Sequence, residues 1–587
     1  MSDFLQAGKM PSFSTLSVGF KGLDVTNAPE TGLPGTGKGG YSALRIADNM
    51  RLTLQGGVKT RSGFTLAATV GSGSAVDSIK WHPNFDVMFA KIGTEIYQTN
   101  DNWVTSYSVG VTRTASETDF LYPVRNNMLA SNATDGLMRI ACSKLKNAIT
   151  VDSLTVDLAA GDGGVFPDSG TISIEGDSIS YTGRTVDQLT GVTNISASHA
   201  ALTIVTATEA QATLLATSIS ELENRTLLGI GKNIYYSRAY TLANPEYAYD
   251  FSGSGSGSKT RTQPVRALHS SSGIVLIGLA KGIDFASGFA SDGTLTVDTL
   301  SKVHSVPSAR SITDTESGFI VWTGRRVLPV SSDGNGTRFT DSTDSIPEAQ
   351  SARIQMDYLI RNDLLELDDD QSSSWLHYDP FIRETSLTAI KDFISRDFVY
   401  NFDSKGWTKD LSKSFKCKTN TATRAYTGSD STNIIYRDRF GSTDNGATIR
   451  HKARTPIYTV NGGRATSDNF LLTLGGVLST NGVFTVRIYI NSAIGLEQEI
   501  TTDQLVQGGY MTVDTSPSAG TGIAGAESMN PGAGLGLSYP FTFPLEFFLT
   551  GERLEVEIEG YDPSLQLEIR SLQLDSESEG VLDSQNL

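Results

Sequence analysis

Apolar and polar residues alternate along most of this chain in short runs broken by Gly, Asp, Asn and Ser, which predicts strands and turns rather than helices. Period-two alternation is clearest in Phe484-Thr485-Val486-Arg487-Ile488-Tyr489-Ile490 and in Leu554-Glu555-Val556-Glu557-Ile558. Two stretches instead carry apolar residues at helical spacing, Ala210 to Leu222 and Ile354 to Leu367, and the second is the stronger helix candidate. The texture is all-β, and many short strands suggest a sandwich, a barrel or a propeller.

A repeat favours the propeller. Leu227 to Tyr235 (LLGIGKNIY) aligns with Leu276 to Asp284, Phe89 to Tyr97 and Ile320 to Leu328: an apolar strand, a short polar turn, a second apolar strand. Looser copies fall at Leu129 to Met138, Phe393 to Tyr400 and Ala425 to Tyr436. With Gly93, Gly231, Ala280 and Gly324 as markers, the regular spacings are 49 and 44 residues, the size of one four-stranded blade whose inner hairpin would be this motif. A blade has an apolar face that only its neighbour can cover, so several must close into a ring. The pattern predicts six or seven blades between residues 70 and 440; unrelated hairpins sharing turn chemistry are the alternative.

The interval before Gly231 is too long by one small domain. The excess, residues 147–207, holds short strands and Asp-Gly-type turns (Phe166-Pro167-Asp168-Ser169-Gly170-Thr171-Ile172, then Tyr181-Thr182-Gly183 and Leu189-Thr190-Gly191-Val192-Thr193) and predicts a compact β-domain inserted into a blade loop. Beyond Arg450 the rhythm gives way to longer alternating strands, expected to form a β-sandwich with a long Gly/Ser/Pro-rich loop from Pro517 to Ser538. The expected organisation is an N-terminal platform segment (1–69), first blades (70–146), the inserted domain (147–207), remaining blades (208–449), a C-terminal β-sandwich joining the platform (450–575) and an acidic flexible tail (576–587).

Composition narrows the function. The 587 residues include 64 acidic and 47 basic ones, a net charge of −17, against the clustered positive charge that a sequence-reading duplex binder or a basic membrane-surface protein needs. Hydrophobic residues make up 38% and charged ones 19%, a folded composition, and the length suits about four domains. Two cysteines, Cys142 and Cys417, make neither a disulfide framework nor a four-ligand zinc site, and the six histidines (His82, His199, His269, His304, His377, His451) show no i, i+4 pairing. No apolar run reaches about 18 residues, so no membrane anchor is expected. The N-terminus has neither a basic nor an apolar leader region, so synthesis in the cytosol without export is expected.

Candidate chemistry is thin. Gly32-Leu33-Pro34-Gly35-Thr36-Gly37-Lys38-Gly39 fits the phosphate-loop spacing, but Gly39 stands where magnesium needs a Ser or Thr, and no buried strand precedes it. Glu366, Asp368, Asp369 and Asp370 lack the spacing and glycine of a calcium loop and read as a solvated charge run. Ser332 to Thr337 resembles an Asp-box without its tryptophan, and single arginines such as Arg225, Arg238 and Arg310 give no glycosidase constellation. The basic cluster Arg437, Arg439, Arg450, His451, Lys452 and Arg454, interleaved with Asp438 and Asp444, reads as an interdomain or intersubunit ion-pair zone; a DNA groove is the alternative. No catalysis, cofactor or metal is expected.

Residues Ala47 to Phe64 resemble the opening of the tail nozzle proteins of short-tailed bacteriophages, also called tail tubular protein B, tail hub or stabilisation proteins. Asn49, Gly56, Gly57, Lys59, Arg61 and Gly63 match that opening, and Ser62 stands where the family usually has proline. The inserted domain is similar to a small module that recurs in phage tail proteins, and Ser317 to Arg325 resembles a blade of the nozzle family.

The resemblance implies a structural virion protein of the tail: a ring, expected to be a hexamer, beneath the head-to-tail adaptor, forming the distal channel for genome retention and ejection. Its partners would be copies of itself, the adaptor, tail fibres or spikes that meet the inserted domain, and genomic DNA passing without specific binding. Acidity suits such a conduit, because each Lys or Arg contact to phosphate adds counterion-release affinity that would retard passage. The rival is a carbohydrate- or receptor-binding propeller at the tail periphery, with Trp81, Trp103, Trp322, Trp375 and Trp407 stacking on sugars.

Overall fold

The computed structural model of the chain describes residues 13–17, 20–23, 42–53, 57–241, 244–316, 318–333, 336–339, 360–392, 394–411, 415–459, 465–479, 483–501, 534–545, 549–551, 553–561 and 566–578. The phosphate-loop-like 32–39, Gly56, residues 354–359 of the second helix candidate, 334–335 of the Asp-box-like stretch, most of the 517–538 loop and residues 579–587 of the tail lie outside them.

The architecture is all-β and its centre is a seven-bladed propeller. Seven antiparallel four-stranded units occupy 76–112, 120–211, 218–260, 265–301, 312–339, 375–410 and 415–438, the last completed by Phe64–Thr69. Their first strands pack one against the next in chain order, and the strand Phe415–Asn420 returns to Val76–His82, which closes the ring. Separate apolar clusters fill the seams: Phe89, Met128 and Ile140 between the first two blades, Leu227, Leu268 and Val275 between the third and fourth, Leu276, Phe319 and Val321 between the fourth and fifth. The repeat is real but sits one strand further out than the sequence suggested. Leu227 to Tyr235 spans the second and third strands, Arg225–Ile230 and Asn233–Tyr236, with Gly231 at φ 56° in the turn between them. The motif is thus the middle hairpin, because the middle strands are covered on both sides and need the longest apolar runs.

The helix expected at Ala210 to Leu222 is not formed. Ile204–Gln211 and Ser218–Leu222 are strands of the second and third blades, joined by a short connection. Leu214, Ile219 and Ala216 reach one cluster from that connection and the following strand, so tertiary packing overrides the helical spacing. In the other candidate, Arg361–Leu365 is helical, and Ile360, Leu364 and Leu367 bury the one face that their spacing defines.

Residues 147–203 leave the second blade between its third and fourth strands. Gly170–Ile174 pairs with Ile204–Gln211, so the hairpin it makes with Asp177–Tyr181 lengthens that blade's sheet outward. Val156, Phe166, Ile174, Ile179 and Leu189 form the module's core, continuous with Ala141 and Val205 of the blade.

A two-sheet platform adjoins the sixth blade. In one sheet the order is Gly534–Leu545, Ala465–Ser479, Gln566–Ser578, Val58–Thr60, Met50–Leu52. The other grows from the blade itself: Gly406–Asp410 pairs in parallel with Ile46–Asp48, followed by His451–Arg454, Arg553–Gly560, Val483–Ile490 and Ala493–Thr501. Alternation decides both faces of this second sheet. Phe484, Val486 and Ile488 lie opposite Gly560, Ile558 and Val556, and the apolar members enter the largest core, shared with Met50, Val58, Trp322 and Trp407. N-terminal segment, C-terminal strands and two blades therefore share one core.

Candidate functional site: the N-terminal motif and the ion-pair ladder

The motif residues sit where the chain passes between the platform sheets. Ile46–Asp48 belongs to one sheet and Met50–Leu52 to the other, and Asn49 makes the corner at φ 55°, a conformation asparagine tolerates better than most residues. Asn49 is 2% exposed and every polar group it carries is used. Its Nδ2 donates to the Arg450 carbonyl (2.6 Å), and its Oδ1 accepts from Arg61 Nε and Leu411 N (2.9 Å each). Its backbone N–H donates to Lys409 O (2.6 Å) and its carbonyl accepts from Arg61 N (3.0 Å). One side chain thereby ties the N-terminal segment to the end of the sixth blade and the start of the C-terminal region.

Arg61, its side chain 1% exposed, donates two bonds to Asp444 (2.8 and 2.5 Å) and one to Ser62 O. Arg51 does the same to Asp410 (2.6 Å twice), with Glu384 at 3.3 Å. Burial works against the charge of Arg51, but the Asp410 and Glu384 carboxylates outweigh it and hold the guanidinium above the ordinary arginine value. Gly63 is required by contact: a Cβ there would lie 1.9 Å from the Thr443 carbonyl oxygen. Gly57 closes a tight turn, its N–H donating to Thr53 Oγ1 (2.9 Å). Lys59 alone among the described motif positions faces solvent. Arg51, Glu384, Asp410 and Asp444 complete this knot and were missed as members of it; a lone arginine between Met50 and Leu52 was the available signal.

The basic cluster resolves into pairs inside the chain. Glu555, Glu557 and Glu559 alternate on Arg553–Gly560, each at most 5% exposed, opposite the face that enters the core. Strands on both sides supply cations: Lys452 to Glu557 (2.9 Å), Arg454 to Glu555 (2.8 Å), Arg450 to Glu559, and Arg487 to Glu557 (3.0 Å) and Glu559 (2.5 Å). Arg45 joins at Glu555 (3.1 Å). Arg439 pairs with Asp379, and Arg437 stacks over Phe440 at 4.0 Å. His451 points the other way, into the core, where burial lowers it to about 4. Arg439, Arg450, Lys452 and Arg454 are thus committed to carboxylates, so the zone binds strands together.

The other candidates are likewise absorbed. Glu366 pairs with Lys391 (2.5 Å), Asp369 with Arg325, and Asp368 accepts from Asp392 N (2.9 Å). Among the described residues no group of three or more potential ligands is placed to hold a metal. Cys142 and Cys417 are buried in different blades, and burial pushes the Cys417 thiol up to about 12. Trp103, Trp322, Trp375 and Trp407 are at most 5% exposed, and Trp81 is half-buried with its Nε1 donating to Asp86 (2.8 Å). Four of the five tryptophans are therefore core residues with no face for a sugar. Side chains also bridge non-adjacent blades inside the ring: Tyr122 of the second blade meets Ser270 of the fourth (2.9 Å), and Arg310, just before the fifth, donates to Lys416 O of the seventh (2.9 Å).

No family model matches the chain, and no curated protein matches it. Similar solved structures include the computationally designed Ika8 protein (11% identity, TM-score 0.30, 64% of this chain and 99% of that one) and a chain of the Mitotic Checkpoint Complex (10% identity, TM-score 0.29, 64% and 93%). Both TM-scores are below 0.5, so neither likeness bears on fold or function.

Proposed function

We propose that this chain is a structural virion protein, a tail nozzle of a short-tailed bacteriophage, that forms a ring beneath the head-to-tail adaptor and encloses the distal part of the channel through which the genome leaves. The observation that supports it best is the knot at the motif: Asn49, Arg61 and Gly63, which carry the resemblance, fasten N-terminal segment, propeller and C-terminal strands into one rigid body, as a load-bearing ring subunit requires. Side chains that bridge the inner strands of non-adjacent blades speak against a duplex path through one propeller, so the DNA path is placed between subunits in this reading. The acid-rich composition suits a surface past which DNA slides. Negative-stain images of the purified chain, alone and with adaptor protein, test the reading. Closed rings are expected; monomers that stay apart from the adaptor and bind glycans would overturn it in favour of a receptor-binding propeller.

A further inference from the structure

The inserted module holds one histidine in an unusual setting. The His199 side chain is 3% exposed and sits between two carboxylates, Nδ1 3.0 Å from Glu175 Oε2 and Nε2 3.2 Å from Asp177 Oδ2. Ionised carboxylates only accept hydrogen bonds, so both ring nitrogens must carry a proton for both contacts to be attractive. No Lys or Arg pairs with either carboxylate among the described residues. The same residue also joins two segments, because Ile149 and His199 exchange backbone bonds (2.9 and 3.0 Å).

The two acids differ in freedom. Asp177 also accepts from Ser196 N (2.8 Å), Ser196 Oγ (2.7 Å) and Ala197 N (3.2 Å). Burial raises its pKa, but these bonds and the one from His199 outweigh that and hold it below the usual carboxylate range. Glu175 has no partner but His199 among the described residues and is 44% exposed. It also lines a small cleft with Gln98, Asn100, Tyr107 and Thr203, where the module meets the first blade. That seam is tight beside it: a Cβ on Gly176 would stand 3.2 Å from the Tyr107 ring, and Gln98 Nε2 donates to Thr206 Oγ1 (3.3 Å).

We propose that His199 is a pH-operated latch: as imidazolium it clasps Glu175 and Asp177 and seats the module on the first blade, and on losing a proton it releases Glu175 into the seam. A neutral ring presents one nitrogen lone pair to a carboxylate, and two negative groups are left facing each other across it. Asp177 keeps its three other donors, so Glu175 is the group that leaves. The titratable groups against the ring are these two carboxylates from the Ile174–Asp177 turn; Lys146, in the 145–149 segment, acts on Asp157, and Tyr107 faces the turn across the seam.

Hydrogen exchange on the whole protein at pH 6 and pH 8, corrected for intrinsic rates, tests this. Segments 145–149 and 193–199 are expected to exchange about tenfold faster at pH 8, with the fourth blade unchanged. His199→Gln should show the fast pattern at both pH values. Glu175→Gln, which removes the repulsion and also serves if His199→Gln does not fold, should keep the slow pattern at pH 8. Equal protection of the wild-type segments at both pH values, or a Glu175→Gln protein that retains the wild-type pH dependence, would overturn the latch.

Discussion

The fourth and seventh blades are the same object made in two ways. The fourth takes all its strands from residues 265–301, each hairpinned to the next, and its register is set by neighbours in sequence. The seventh takes three strands from 415–438 and its fourth from Phe64–Thr69, while the sixth continues beyond its own outer strand into Ile46–Asp48 and the platform. A local blade can form as soon as it is made. The seventh blade is complete, and the sixth joined to the platform, only when segments hundreds of residues apart meet, so loop-closure entropy is charged to the contacts that join them. The knot of Asn49, Arg51, Arg61, Asp410 and Asp444 lies at that meeting point, where buried bidentate pairs fix one register among alternatives.

The comparison is broken most completely by removing the N-terminal strands. A chain begun at Val70 keeps every strand of the fourth blade but loses the outer strand of the seventh and four platform strands (Phe13–Ser17, Ile46–Asp48, Met50–Leu52 and Val58–Thr60), and it is expected to lose cooperative unfolding when followed by circular dichroism and tryptophan fluorescence together. Next comes Arg61→Ala, which leaves the buried Asp444 without its bidentate partner and takes from Asn49 Oδ1 one of its two donors, and should cost about 3–5 kcal/mol in urea titration. An Arg61→Ala protein within 1 kcal/mol of wild type would mean the pair is replaceable by water and the knot is not where the ring is fastened.

Buried histidines sharpen the same contrast through pH. His82, at the inner edge of the first blade, is lowered to about 4 by burial, against weaker pulls from the backbone of Asn127 and its own, and His451 in the platform is lowered to about 4 as well. Their folded values lie below the unfolded value near 6.5, so the unfolded chain takes up protons first. Stability is fully present above pH 6.5 and falls as the pH drops towards 4, by up to about 3 kcal/mol for each histidine. Thermal melts at pH 7 and pH 5 should show this loss, and His82→Leu should remove the share of it that belongs to the first blade.

How legible this was in the sequence follows from the same division. The self-contained blades announced themselves, because Leu227 to Tyr235 and Leu276 to Asp284 repeat a local hairpin at nearly constant spacing. The platform strands could be read one by one, and the alternation of Leu554 to Ile558 assigned both faces of its strand before any partner was known. What the sequence hid was pairing: nothing near Arg61 names Asp444, and nothing near Phe64 names Asp438, since such choices depend on which apolar faces must be covered. The failed helix at Ala210 to Leu222 has the same cause, as Leu214 and Ile219 meet through a turn rather than along one helix face. The glycines and aspartates of the module showed its turns, but the clasp of His199 joins positions about 22 residues apart and had no local signature.

The smallest effects sharpen the comparison best, because they set chemically equal substitutions in the two kinds of blade. Gly63 and Gly231 both become alanine by adding one methyl group. At Gly231, in the hairpin turn of the third blade, nothing lies within 4 Å of the new Cβ, so only the left-handed backbone resists it, at about 1 kcal/mol. At Gly63 the methyl meets the Thr443 carbonyl oxygen at 1.9 Å, and two backbones that close the ring must separate, at about 1–3 kcal/mol or more. Urea titration of both variants should rank Gly63→Ala below Gly231→Ala in stability. Arg238→Ala, which removes a half-buried ion pair with Asp250 and a stack over Tyr247 outside the third blade's ladder, should cost the least stability of the three. Were the two alanine variants equal, the close approach of Gly63 to Thr443 would be slack that the chain takes up freely, and the ring would be held by its blade seams and not by the stitch between its ends.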